Sequence, residues 1–154
     1  MNKKYPRVVA MLLLVMLVVA CGPGQIRDES PMVRISELSH QDGTVSLQLS
    51  IRNVNDEELD ILEIDFSLSS DDQQLLAYSG PASININANG TETWSVDIAE
   101  SDTTRQRLDA LQSGEIKSLP YKLEGTVSSR ESGQLHFEHE GHLYPLPGRA
   151  GHFR

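Results

Sequence analysis

The stretch VSLQLSI, residues 45–51, places an apolar side chain at every second position with a polar one between. Successive side chains of a β-strand point to opposite faces, so this pattern predicts a strand with one buried and one solvated face. The same period returns in LEIDFSL, residues 62–68, where Leu62, Ile64, Phe66 and Leu68 are expected to point inward. The fold therefore begins from two half-buried strands.

Further short segments with strand character flank these two. They lie at 33–38, 74–79, 83–87, 93–98 with Trp94, Val96 and Ile98 inward, 119–127 and 134–143. One helix is predicted at about 102–112, between a cap at Ser101 or Asp102 and Gly114. Strands of this length, separated by acidic and Gly/Asn turns, predict a mainly β, antiparallel β-sandwich of seven to eight strands with one short helix.

The first 21 residues have the order of an export signal. Lys3, Lys4 and Arg7 precede an apolar run from 8 to 20, which is too short to cross a bilayer comfortably. The stretch Val18-Val19-Ala20-Cys21 resembles the lipobox of bacterial lipoproteins, which implies cleavage before Cys21 and acyl chains, such as palmitate, on that residue. The alternative is an uncleaved signal anchor in which Cys21 is incidental.

These features divide the chain into four parts: a signal peptide at 1–20, a flexible tether at 21–30 starting from the lipidated Cys21, a sandwich domain at 31–148 and a C-terminal tail at 149–154. Without the leader, 10 basic residues remain against 22 acidic ones, a formal charge of −12. A phosphate backbone would repel such a surface, which argues against a nucleic-acid partner. Membrane contact is expected through the lipid on Cys21. In bacterial lipoproteins, an aspartate directly after the acylated cysteine is the usual signal for retention in the inner membrane. This chain has Gly22 at that position, so the lipoprotein resemblance favours the outer membrane, facing the periplasm.

The residues at the turns and strand ends carry a second resemblance. Asn53-Val54-Asn55 ends one strand, Gly80-Pro81 follows 75–78, residues 86–91 read INANGT, and 121–125 read YKLEG. From Met32 to Pro147 this order resembles the type 2 late embryogenesis abundant family, or water-stress and hypersensitive-response domain, although Val54 replaces the proline of its Asn-Pro-Asn element. The resemblance implies an immunoglobulin- or fibronectin III-like sandwich without catalytic residues. We interpret Asn53 and Asn55 as a structural turn, and Asn89-Gly90 as a short-hairpin signal.

His136, His139 and His142 alternate with Glu138 and Glu140 in a pattern that suggests a metal site. In a strand, His136 and His142 would stand roughly 20 Å apart and His139 would face the other way. The three cannot chelate one ion, and a solvated polar face is the favoured interpretation. A pair of His136 and Glu138, assisted by a neighbouring strand, is the remaining alternative.

Nothing in the sequence forms a nucleophile motif, and the single cysteine is the predicted anchor. We therefore expect no enzyme activity, no cofactor and no metal. The inward aromatic residues leave few platforms for carbohydrate, with Tyr78, Tyr121 and Tyr144 as the remaining candidates. The first hypothesis is a non-catalytic envelope lipoprotein with a structural or stress-protective role. The second is an interaction module or lipid-binding carrier that engages another envelope component, whose protein partner the sequence does not identify.

Overall fold

Two four-stranded antiparallel sheets face each other in the computed structural model, which describes residues 29–154. One sheet has the order β5-β2-β1-β8 and the other β4-β3-β6-β7. The strands are β1 Met32–Gln41, β2 Thr44–Arg52, β3 Leu59–Ser70, β4 Gln73–Ile86, β5 Thr91–Ala99, β6 Leu119–Ser129, β7 Gly133–Leu143 and β8 His152–Phe153. This architecture confirms the predicted antiparallel sandwich.

Alternation along β2 positions the core as the sequence predicts. Val45, Leu47, Leu49 and Ile51 are fully buried, while the residues between them are half-buried and polar. Their strand pairs in register with β1 on one side and β5 on the other, so it is a central strand of its sheet. Such apolar residues from both sheets fill the space between the layers and stabilise the fold by removing apolar surface from water.

The single helix described, α1, spans Asp102–Ser113 and confirms the predicted position. It begins at Ser101, whose side chain accepts a hydrogen bond from the Thr104 backbone N–H at 3.1 Å. It ends at Gly114, which adopts the left-handed conformation with φ 79°. Leu108 and Leu111 are buried, so α1 covers one end of the sandwich. No helix within residues 29–154 is long and apolar enough to cross a membrane.

A bulge in β3 overturns one predicted core position. Both neighbouring strands shift register between Ile61 and Glu63. An extra residue in one strand reverses the side-chain alternation, so Ile61 is 1 % exposed and the predicted core residue Leu62 is 41 % exposed. Opposite this bulge, Ser83 has φ 52°. The two segments predicted at 74–79 and 83–87 are therefore one bent strand, β4.

The short hairpin predicted at Asn89-Gly90 is not present. Gly90 N–H donates to the Asn87 carbonyl at 2.9 Å, and Asn89 has φ 55°, which forms a tight turn. The turn connects β4 in one sheet to β5 in the other, so its flanking strands are not paired. The residues Asn89 and Gly90 do form a tight turn, but the strands on either side of it, β4 and β5, belong to different sheets.

The last six residues, assigned from sequence to a tail, contain β8. Leu38 pairs with Phe153 and Ser39 with His152. Phe153 is fully buried, and its ring lies 5.8 Å from that of His40. The sandwich thus includes these last residues, because the aromatic side chain of Phe153 fills the core beside Leu38 of β1.

Candidate functional site

The predicted lipidation site, Cys21, lies outside the described residues. The structure begins at Glu29, whose backbone is bound by Asn55 in both directions. Glu29 N–H donates to Asn55 Oδ1 at 2.7 Å, and Asn55 Nδ2 donates to the Glu29 carbonyl at 2.9 Å. The chain therefore enters the sandwich at the end where β2 finishes and β3 begins, opposite the end covered by α1.

Asn53 forms a buried hydrogen-bonded corner at that same end. Its Nδ2 lies within hydrogen-bond distance of the Glu57, Ile86 and Asn87 carbonyl oxygens, at 2.6, 3.3 and 3.2 Å. Its Oδ1 accepts from the Asn55 backbone N–H at 3.0 Å. The side chain is fully buried, and one amide thereby satisfies backbone groups from the β2–β3 loop and the end of β4. The interpretation of Asn53 and Asn55 as a structural turn is confirmed.

The histidines of β7 lie where a strand places them. His136, Glu138, Glu140 and His142 are exposed on one face, while His139 is half-buried on the other with its ring 6.0 Å from Tyr121. His136 pairs with Thr126, His139 with Leu123 and His142 with Pro120, so each occupies a different rung of the β6–β7 ladder. The geometry does not bring the three imidazoles together.

No group of three or more His, Cys, Asp or Glu side chains within residues 29–154 is arranged to hold a metal ion. The Glu138 carboxylate of the candidate pair is instead near an ammonium group: Lys122 Nζ lies 3.4 Å from Glu138 Oε2 and 2.8 Å from Glu124 Oε2. Hydrogen bonding to Glu124 is the main cause that raises the pKa of Lys122, so the ammonium stays charged beside both carboxylates. His136 and Glu138 line a shallow depression of about 800 Å³ on the outside of the β4-β3-β6-β7 sheet.

Aromatic side chains close one side of the sandwich. The Phe66 and Tyr78 rings lie 5.9 Å apart, and the Tyr78 and Trp94 rings lie 5.4 Å apart. Tyr78 and Trp94 come from different sheets, so this contact joins the layers. Of the three tyrosines considered for stacking on a ligand, Tyr121 is 8 % exposed and Tyr144 is 53 % exposed. These contacts assign Tyr78 and Tyr121 to packing.

A buried carboxylate was missed by sequence reasoning. The Glu100 side chain is 2 % exposed, although it lies between β5 and α1. His40 Nδ1 lies 3.1 Å from its Oε1, and Arg105 Nε donates to its Oε2 at 2.9 Å. This arrangement connects β1, β5 and α1 at the helix end. No local pattern distinguishes Glu100 from the other acidic residues at loops, because its partners come from 60 and 5 positions away.

A cleft of about 420 Å³ lies on the opposite side of the sandwich from Trp94. There the edge strand β7 faces the first part of β1, since β8 pairs only with Leu38 and Ser39. Its walls include Pro31 just before β1 and Met32 at the start of β1, Arg34 and Arg52 on the outer face of that sheet, and Phe137 of β7. Sequence analysis did not identify this cleft, because residues more than 100 positions apart form its two walls.

Tyr121 lies behind this cleft, between β1 and β7. Burial raises the pKa of its phenol, while a hydrogen bond with the Ile35 backbone and the nearby Arg34 charge act in the lowering direction. A Cβ at Gly141 of β7 would lie 2.8 Å from the Tyr121 hydroxyl oxygen. The absence of a side chain at Gly141 thus gives room for the phenol, which in turn fills the space between β1 and β7.

Comparison with family models matches residues 48–141 to the family described as late embryogenesis abundant protein. A solution structure of an Arabidopsis thaliana protein is similar with a TM-score of 0.49 and 14% identity, covering 77% of this chain and 87% of that one. A solution structure of a late embryogenesis abundant protein gives a TM-score of 0.46 and 15% identity, with 94% and 87% covered. A crystal structure of an Archaeoglobus fulgidus protein gives 0.46 and 8%, with 74% and 95% covered. No curated protein sequence matches the chain significantly.

Proposed function

Because this chain belongs to the late embryogenesis abundant protein family, we propose that it is a non-catalytic envelope lipoprotein with a structural or stress-protective role. The observation that carries the proposal is the family match over residues 48–141, which spans strands of both sheets and α1. Family membership supports a stress-related role without catalysis. Anchoring through Cys21 and a place at the outer membrane, facing the periplasm, are the parts of the proposal that come from the sequence pattern alone.

The arrangement of the N-terminal end supports the anchoring part. Asn55 holds Glu29 at one end of the sandwich, and Glu29 stands eight positions after Cys21 in the sequence. At about 3.3 Å per residue, an extended tether would reach roughly 26 Å. A lipid on Cys21 would therefore keep the Asn53 end close to the bilayer and the α1 end away from it. The formal charge of −12 would keep a hydrated surface around the domain.

Anchoring is tested by metabolic labelling with radioactive palmitate. The wild-type chain is expected to incorporate label and to fractionate with the outer membrane, and Cys21→Ser should lose both properties. Gly22→Asp is the matched variant, because it keeps the cysteine and changes the sorting residue alone. It should keep the label and move to the inner membrane. Label that persists in Cys21→Ser would overturn lipidation at this residue.

The protective role is tested with a deletion strain. We expect lower survival after drying and osmotic shock, restored by the wild-type gene and incompletely restored by the Cys21→Ser gene. Survival equal to that of the wild type under both treatments would contradict the stress-protective role. Anchoring would be unaffected by that result, since the labelling experiment measures it separately.

One observation favours a second function, an interaction module or carrier. β7 is the last strand of its sheet, and within residues 29–154 no strand pairs with its outer edge. An unpaired edge can accept an added strand from a partner. Crosslinking in intact cells followed by pull-down from membranes is expected to capture an envelope protein. A proline introduced in the middle of β7 is expected to prevent this capture. Native mass spectrometry of the purified chain tests the carrier alternative.

A further inference from the structure

Arg34 and Arg52 are two neighbouring cations on one face of the β5-β2-β1-β8 sheet. Arg34 lies opposite Ser50, and Arg52 lies opposite Met32, so the two arginines occupy diagonal positions of the β1–β2 pair. Diagonal Cβ atoms on antiparallel strands stand roughly 7–8 Å apart, within reach of two long side chains. Both guanidinium groups can therefore approach one small anion.

Neither arginine has a carboxylate partner or a side-chain hydrogen bond in the part of the chain from Glu29 onward. By contrast, Arg105, Arg107 and Arg130 lie 2.9, 3.2 and 3.7 Å from carboxylate oxygens. In a domain with this excess of acidic residues, Arg34 and Arg52 form a pair of neighbouring arginines without a carboxylate partner among the described residues. Glu138, the acidic residue that lines the same cleft, lies 3.4 Å from Lys122 Nζ. The positive charge of Arg34 and Arg52 is thus available to a ligand.

Part of the remaining wall of the cleft is apolar. Met32 is 62 % exposed there, while Val33 and Phe137 form buried surface behind it. A volume of about 420 Å³ is within the range of small-molecule sites. The cleft therefore combines cationic donors at its rim with a short apolar surface.

We propose that the cleft between β1 and β7 binds a phosphate or carboxylate group carried on a short apolar body, with Arg34 and Arg52 contacting the anion and Met32 the apolar part. Arginine recognises both oxyanions through paired N–H donors. His136 and His139 of β7 are further polar residues that line the same cleft. This site deepens the carrier alternative by naming the ligand chemistry, and it requires neither lipidation of Cys21 nor a role in stress.

The test uses the full chain in dodecyl maltoside micelles, labelled with ¹⁵N-arginine and titrated with hexyl phosphate. Binding should shift the side-chain Nε–H signals of Arg34 and Arg52 and leave that of Arg130 unchanged. The double variant R34Q/R52Q should raise the dissociation constant at least about tenfold, the loss expected for charge-assisted hydrogen bonds. R130Q is the matched control and should bind like the wild type. Met32→Ser should weaken hexyl phosphate and leave inorganic phosphate unaffected.

Phosphatidylglycerol added to the micelles distinguishes the two sources of the anion. Competition with hexyl phosphate would assign the cleft to a lipid headgroup, and its absence would assign the cleft to a free amphiphile. Equal affinity of the wild type and R34Q/R52Q, or no shift of the two arginine signals, would overturn the proposal. All three arginines are exposed, so the variants should unfold at the wild-type temperature, which a melting curve verifies. Loss of the palmitate label or of the drying phenotype would leave this result unchanged.

Discussion

Asn53 Nδ2 lies 2.6 Å from the carbonyl oxygen of Glu57, and this contact closes the β2–β3 loop around a fully buried amide. The same amide reaches the carbonyl oxygens of Ile86 and Asn87 at the end of β4. A strand end in one sheet is thereby joined to a strand end in the other. The corner positions the backbone at Glu29, where the N-terminal segment enters the domain.

Asn53→Ala should lower the free energy of unfolding by about 2–4 kcal/mol, because buried carbonyl groups lose their donor. Asn55→Ala is the matched control at the same corner. It should cost less, since Asn55 is half-buried and water can replace its contacts with Glu29. Urea unfolding followed by Trp94 fluorescence measures both values. A smaller loss for Asn53→Ala than for Asn55→Ala would contradict the central role of Asn53.

Phe153→Ala should destabilise the domain by about 3–5 kcal/mol, the usual cost of removing a buried aromatic ring. Phe153 is fully buried although it is the penultimate residue. Tyr144→Ala, at a 53 % exposed aromatic residue near the same end, should have little effect. Thermal and urea unfolding compare the two variants. Equal, small losses would mean that the C-terminal segment behaves as the tail expected from sequence.

Gly125→Ala should be strongly destabilising, by about 2–3 kcal/mol or more, because the added methyl group has no free volume. It would overlap the Asp65 carbonyl oxygen and lie 2.8 Å from Phe66 Cα, and neither backbone atom can move without distorting β3. In Gly141→Ala the nearest atoms belong to the Tyr121 side chain, at 2.8 Å, which can rotate. Gly141→Ala should therefore cost less. The opposite order in urea unfolding would show that β3 adapts more easily than Tyr121.

Glu37 should make a contribution to stability that acid removes. His152 Nδ1 lies 2.7 Å from Glu37 Oε1, and this hydrogen bond is the main cause that holds the pKa of Glu37 below 4.5, with a smaller contribution from Arg149. A lowered folded-state pKa stabilises the fold above the unfolded-state value and ceases to do so as the pH falls through the folded-state value.

Urea unfolding of the wild type and Glu37→Gln at several pH values tests this expectation. The wild type should be more stable at pH 7, and the difference should shrink as the pH falls below about 4.5. Glu63→Gln, on the other sheet, is the control and should show little difference at any pH. A gap between wild type and Glu37→Gln that stays constant down to pH 3 would rule out this linkage.

His136 and Glu138 should have no part in any response to zinc. They are exposed, and Lys122 competes for the Glu138 carboxylate. The double variant H136A/E138A should therefore show the same zinc-dependent change in melting temperature as the wild type. A zinc-induced rise of the melting temperature in the wild type that disappears in the double variant would establish a metal site there.

Sequence patterns predicted the strands well where one alternation runs without interruption, as in β2 and β7. They failed at the β3 bulge, because the extra residue that exposes Leu62 is defined by pairing with two other strands. The helix was predicted because its signals are local: Ser101 at its start, Gly114 at its end and two buried leucines between them. No local signal showed which sheet the strand after Asn89-Gly90 joins, since the same turn can connect two strands of one sheet or strands of two sheets.

By itself the sequence determined the class of fold, the position of α1 and the polar character of the outer strand faces, since these depend on periods of two and 3.6 residues and on caps within a few positions. Only the tertiary structure decided which residues meet across the sandwich. It buried Glu100 against His40, brought Phe153 against β1 and placed Arg34 and Arg52 in one cleft with Phe137. The physical reason is that these contacts join residues distant along the chain, and their energy exists only when both sheets are packed.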